Sequence, residues 1–323
     1  MASGSPRGPQ HDEQGRGIWV CSPAAARASP DQRSNEQSHE RSKIVTLNII
    51  KASDRMQQRG GIKAVILGPS GVGKTTLLRT LNPATTLFFD LEAGDLAVEG
   101  WEGDAVRPRT WDDCRTLAAL IGGANPALRD EQPYSQAHFN HVNRDGGAED
   151  FAAYETIFID SITVAGRLCF QWAQGQPEAF SEKTGKPDTR GAYGLHGREM
   201  LAWLSQLQHA RTRNIVFVGI LDQKEDDYGR TSWVPQIDGS KVGRELPGIV
   251  DQVITYQELQ SEDGAKFRGL VCTSPNSWGF PAKDRSGRLD QIEEPHLGKL
   301  FAKIKGGQRK DALVTEIPQS DAA

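Results

Sequence analysis

Between Gly68 and Thr76 the chain reads GPSGVGKTT, directly after the apolar run Ala64-Val65-Ile66-Leu67. The spacing G-x-x-x-x-G-K-T is that of a loop built to hold a phosphate chain, formed here by Gly68, Pro69, Ser70, Gly71, Val72, Gly73, Lys74, Thr75 and Thr76. Glycine lets such a loop wrap so that backbone N–H groups point inward, and Lys74 is placed to reach the β- and γ-phosphates. The Thr75 hydroxyl is a ligand for Mg²⁺. Downstream, Thr75, Leu77, Leu78 and Leu81 carry helical apolar spacing and predict a helix with its positive end facing the anion. Strand, loop and helix in that order predict a site for ATP and Mg²⁺ within an α/β fold.

The rest of the chain continues that pattern. Apolar, largely non-alternating runs predict buried strands at 64–67, 86–90, 156–160, 214–220, 252–258 and 267–273. Helical patterns lie between them. TWDDCRTLAALIGG (110–123) opens with Thr110 three residues before Asp113, a capping signature, and stops at Gly122-Gly123. GREMLAWLSQLQHART (197–212) puts Met200, Leu201, Leu204 and Leu207 on one face. Strands alternating with helices imply a mainly parallel sheet sandwiched by helices. Residues 43–310 are read as one ATPase domain, with a polar surface insertion at about 124–150 and a flexible tail at 311–323. Residues 1–42 lack apolar periodicity, five Arg balance five acids there, and the segment reads as a disordered arm.

A phosphate loop alone does not hydrolyse ATP; something must hold the metal and something must position water. In YETIFIDSIT (154–163) the strand Ile157-Phe158-Ile159 ends in Asp160. A carboxylate at the carboxyl end of a buried strand lies where ligands bind in open α/β sheets, so Asp160 is the expected metal-side aspartate, acting on Mg²⁺ through water. In TTLFFDLEAGD (85–95) a second apolar strand ends in Asp90-Leu91-Glu92. The net charge of −4 gives no global basic field, so any nucleic-acid binding must come from local patches. Cys21, Cys114, Cys169 and Cys272 form no C-x-x-C pair, which points to free thiols in a reduced, cytoplasmic setting. No apolar run approaches membrane-spanning length, and the histidines show no ligand set, His138 and His141 included.

The phosphate loop, FFDLEAG and IFIDSIT, in this order, resemble the core of RecA-type ATPases over roughly residues 60 to 305. RGAYGLHGREML, GSKVGRELPGIVDQVITY and WGFPAKDRSGRLD are similar to blocks of small phage-borne RecA-like ATP-binding proteins, some of which anneal single strands. The resemblance implies that Glu92 is the general base or water-orienting residue, on a strand beside the phosphate-loop strand. It implies that Lys283 and Arg285, at i and i+2 after the last strand, enter a neighbouring subunit's site as cationic fingers, hence a homo-oligomer with shared sites. It also implies two loops that contact single-stranded DNA. The first, about 175–197, carries Lys183, Lys186, Arg190, Tyr193 and His196; the second, about 222–245, carries Arg230 and Trp233 but has six acids against four bases. KLFAKIKGGQRK (299–310), five bases and no acid, is a further source of positive surface.

One departure stands out. The polar γ-phosphate sensor expected at the end of strand 214–220 is replaced by Gly219-Ile220-Leu221, with Asp222 and Gln223 slightly late. The functions compatible with these residues are a recombination or annealing ATPase, a replication motor or loader, an ATP-switched binding module without DNA affinity, and, least favoured, a small-molecule kinase.

Overall fold

The computed structural model describes residues 49–58, 60–225, 228–229 and 231–310. The chain divides into two units, Met1–Lys51 and Ala52–Ala323. The arm expected at 1–42 and the tail at 311–323 lie outside the described residues. The second unit is built on strands β1 (Lys63–Gly68), β2 (Thr86–Asp90), β3 (Asp104–Val106), β4 (Thr156–Asp160), β5 (Asn214–Glu225), β6 (Thr231–Pro235), β7 (Gln252–Gln260), β8 (Lys266–Val271), β9 (Lys283–Asp284) and β10 (Ile292–Glu293). Its helices are α1 (Ala52–Gln57), α2 (Trp111–Gly122), α3 (Gln136–Val142), α4 (Gly147–Asp150), α5 (Ile162–Gln174), α6 (Thr189–Gln208), α7 (Ser240–Ile249) and α8 (Leu297–Gly306).

All residues of β1, β2 and β4 are buried, which is why these runs are apolar without alternation. The pleat still sorts them by face. Val65, Leu67, Leu87, Phe89, Ile157, Ile159, Ile215 and Phe217 meet the apolar faces of α2, α5 and α6, with Trp111, Trp203 and Met200 at the centre. Ala64, Ile66, Phe88, Phe158, Val216 and Val218 face the other way, onto Leu77 and Leu78 and onto Leu300, Phe301 and Ile304 of α8. The strand order is β10-β8-β7-β1-β5-β4-β2-β3, with β6 and β9 attached to β5 and β7. Pairing from β7 across β1, β5, β4 and β2 to β3 is parallel; β8, β9 and β10 add antiparallel pairs at one end. This is the helix-sandwiched, mainly parallel α/β architecture expected from the sequence.

Local differences have physical causes. The expected helix after the phosphate loop is a 3-10 segment of six residues, Thr75–Thr80. Leu81 is extended and Asn82 caps a second turn opened by Pro83, so the chain has no room to continue. Helix 110–123 is α2, and Thr110 and Asp113 form the expected capping box. The helix expected at 197–212 starts earlier, at Thr189, because Asp188 accepts from the Arg190 N–H at 3.0 Å and caps it. Residues 189–196 are therefore helix and not loop. Within 222–245 the described residues belong to the antiparallel pair of β5 and β6 and to the start of α7. The 124–150 insertion is not wholly surface: Tyr134 and Ser135 are buried, and it folds into α3 and α4.

Candidate nucleotide-binding site

Strand β1 delivers Gly68 to the carboxyl edge of the sheet. A side chain at Gly68 would meet the Tyr256 carbonyl oxygen at 2.3 Å, so β7 lies too close for anything but glycine. Gly71 and Gly73 have φ of +79° and +99°, a backbone region that side chains disfavour, and this lets the loop wrap. Val72 between them is buried in the core on that side and pins the loop to the sheet.

Lys74 is 9% exposed, and its ammonium donates to the carbonyls of Gly68 at 3.0 Å and Pro69 at 2.8 Å. Burial lowers its pKa, opposed by the negative charge of Asp160 and Glu92. The lysine is poorly solvated and held by neutral acceptors, so an anion in the loop gains a strong partner. A six-residue 3-10 segment adds little macrodipole, which leaves the loop N–H groups and Lys74 as the main anion-binding elements.

The Thr75 hydroxyl donates to Asp160 Oδ2. Asp160 is 2% exposed, and its pKa rises to about 6, first through burial and then through Glu92 and Asp90, with the Thr75 hydrogen bond and Lys74 opposing. A hydroxyl and a desolvated carboxylate side by side form the hard oxygen pair that suits Mg²⁺. No cluster of three or more His, Cys, Asp or Glu able to hold a metal occurs among the described residues. Mg²⁺ is commonly held by one or two protein oxygens with phosphate and water completing the shell. The donor set therefore fits the ion, with Thr75 and Asp160 as its protein partners.

Glu92 follows β2, and the topology corrects where that strand lies. β2 pairs with β4, Asp90 opposite Asp160, while β5 and β4 separate it from β1. The glutamate strand is next to the metal-aspartate strand and not next to the phosphate-loop strand. Glu92 still reaches the site because Ala93, at φ +56°, turns the chain back and Ser161 donates its hydroxyl to Glu92 Oε1. Asp90, the other carboxylate of this strand, is 3% exposed and accepts from the Gly94 N–H at 2.9 Å, with Arg107 at 3.6 Å. Asp90 thus holds the 91–94 turn in shape. Ser161 and Arg107 are contributors that the sequence reading did not single out; a serine directly after the metal-side aspartate was the available signal for the first.

The remaining expected residues lie away from this cluster. Lys283 and Arg285 sit near the amino-terminal end of β7, opposite the phosphate-loop end of the sheet. Lys283 donates to the Val250 carbonyl at 2.9 Å, and Arg285 pairs with Asp251 at 2.7 Å. Lys183, Lys186 and Arg190 are exposed and form no ion pair among the described residues. Tyr193 stacks on Phe170 with ring centroids 4.4 Å apart. Trp233 is half-buried against Phe280, and Arg230 lies outside the described residues. His196 is buried, and Gln223 stands on the exposed hairpin opposite Trp233. The basic run 299–310 is not an unpaired positive surface: Lys299 pairs with Glu294, Lys303 with Asp290 and Glu293, and Lys310 with Asp290.

A mainly parallel sheet with a glycine-wrapped loop, a buried lysine and a threonine–aspartate pair at its carboxyl edge defines a P-loop nucleotide-binding protein. The chain belongs to the AAA domain family, whose model matches residues 60–286. No curated protein matches it. Among solved structures it is similar to a RadB recombinase, at 11% identity and a TM-score of 0.31, covering 66% of this chain and 80% of that one. Among the described residues no helix is long and apolar enough to cross a membrane.

Proposed function

We propose that this protein is a RecA-like Mg²⁺-dependent ATPase that acts on single-stranded DNA in recombination or annealing, of the kind carried by phages. The observation that carries the ATPase reading is the meeting of Lys74, Thr75, Asp160 and Glu92 at one sheet edge, although 85 residues separate Thr75 from Asp160. Lys74 and the loop N–H groups bind the phosphates. Thr75 and Asp160 hold Mg²⁺, which when bound screens charge on the β- and γ-phosphates. Glu92, oriented by Ser161, positions water and takes its proton.

The DNA part rests on the exposed cations Lys183, Lys186 and Arg190 beside Tyr193 and Phe180, each of the two rings 42% exposed. Cations interleaved with aromatics suit a single strand. A second reading, an ATP-switched module without DNA affinity, draws support from the hairpin arm. The exposed end of β5 carries the acids Asp222 and Glu225 against one base, Lys224, and Trp233 is turned onto Phe280. ATP turnover measured with and without single-stranded DNA separates the two. Stimulation by DNA supports the first; hydrolysis indifferent to DNA, with no strand bound at low salt, supports the second.

A further inference from the structure

Above the phosphate loop lies the guanidinium of Arg268, outside the cluster of Lys74, Thr75, Asp160 and Glu92. β7 runs parallel to β1, with Leu67 opposite Thr255, so Tyr256 stands level with Gly68. β8 returns antiparallel, placing Leu270 opposite Tyr256 and Arg268 opposite Glu258. Arg268 is therefore one step of the pleat beyond the carboxyl end of β1, in the zone where open α/β sheets bind ligands. It shares a face with Leu270, and Leu270 and Tyr256 belong to the same core cluster as Val72 of the loop. A methyl group built on Gly73 would come within 3.3 Å of Arg268 Nη1 and 3.8 Å of the Tyr256 ring.

Arg268 is exposed and makes no hydrogen bond or ion pair among the described residues. Its cross-strand neighbour Glu258 is instead paired with Lys266 at 3.0 Å. An exposed arginine with no partner among the described residues, beside the loop glycine that precedes Lys74, has an evident complement. Guanidinium matches phosphate oxygens in a two-pronged hydrogen-bond geometry that lysine cannot offer.

We propose that Arg268, delivered by the β7–β8 hairpin of the same chain, binds the phosphate chain of the nucleotide held in the 68–76 loop. The proposal rests on the ATP reading above and deepens it: one cation of the site comes in cis from the antiparallel end of the sheet. Gly73 is required to be glycine by its positive φ, and the Arg268 guanidinium lies within contact distance of the space a side chain there would take.

The test is calorimetric binding of ATP, ADP and inorganic pyrophosphate to the full chain and to Arg268→Gln and Arg268→Lys, with melting curves to confirm folding. Loss of a charge-assisted pair predicts about ten- to a hundredfold weaker binding of all three by Arg268→Gln. Arg268→Lys, which keeps the charge, recovers part of that loss. Binding by Arg268→Gln within about twofold of the unmutated chain overturns the proposal. So does a loss for ADP that pyrophosphate does not share, which would place the guanidinium on the base or ribose. A lysine variant no better than the glutamine one also overturns it. An unmutated chain that binds no ATP removes the nucleotide reading itself and the Arg268 assignment with it.

Discussion

The hydroxyl of Thr75 donates to the carboxylate of Asp160, joining the phosphate loop to the end of a strand that is separated from β1 by β5. That carboxylate is almost fully buried, with a pKa raised to about 6 from 3.8. Below 3.8 it is protonated whether the chain is folded or not and has no effect on stability. Between 3.8 and about 6 the unfolded chain releases the proton while the native chain keeps it, so stability falls as pH rises. Above about 6 the full penalty persists, on the order of 2–3 kcal/mol at ~1.4 kcal/mol per unit. Without nucleotide and metal, Asp160→Asn is therefore expected to melt higher than the unmutated chain at pH 8 and to lose this pH dependence. Its Mg²⁺-dependent ATP binding is expected to fail. Thermal melts across pH, paired with metal titrations, check both halves.

Glu92→Gln is expected to leave ATP affinity nearly unchanged and to slow turnover about a hundredfold or more, since only the proton acceptor is lost. Ser161→Ala frees Glu92 from the hydroxyl that orients it. A smaller loss, roughly tenfold, is expected in kcat at unchanged ATP affinity. Single-turnover rates decide; wild-type hydrolysis by Glu92→Gln would remove Glu92 from the mechanism.

Lys74→Ala is expected to abolish nucleotide binding, because the phosphates lose the buried cation of the loop. Gly73→Ala is expected to do nearly the same by a different route. The added methyl group is forced onto a φ of +99° in a loop that must keep its N–H groups convergent. A melting temperature close to that of the unmutated chain, with ATP binding lost in calorimetry, distinguishes a damaged site from a damaged fold.

Binding to single-stranded DNA is expected to weaken steeply with salt, as counterion release requires, and to weaken further on charge reversal at Lys183, Lys186 and Arg190. Fluorescence anisotropy from low to physiological salt measures both effects. No binding at low salt with ATP and Mg²⁺ present would leave the nucleotide-switch reading.

Lys283 and Arg285 face away from their own phosphate loop, so a role in ATP hydrolysis requires a second subunit. The Lys283→Ala/Arg285→Ala double variant is expected to bind ATP but not turn it over. Activity is expected to return on mixing with Lys74→Ala, because a mixed interface pairs one intact loop with one intact set of cations. Both residues also hold the chain end of α7 and Asp251. Folding of the double variant must therefore be confirmed, and absence of rescue in co-assembled subunits would end the finger assignment.

The sequence by itself determined the elements that depend on local chemistry. The glycines, Lys74 and Thr75 specify a phosphate loop because their spacing is the geometry, and a buried apolar strand ending in Asp160 specifies a carboxylate at a sheet edge. The capping box at Thr110 was equally legible, since its partners lie three residues apart. Tertiary structure decided whatever depends on strand order and on who meets whom across the sheet. No local signal says that β2 lies against β4, so the position of Glu92 beside Asp160, and its attachment to Ser161, emerged only from the parallel pairing. The basic run at 299–310 looks like a charged surface until folding brings Asp290, Glu293 and Glu294 against it. Arg268 is one arginine in an ordinary strand until the β7–β8 register carries it over Gly73. Spacing along the chain fixes backbone geometry within a few residues, whereas long-range pairing, which brings distant charges together in a poorly solvated place, exists only once the sheet has formed.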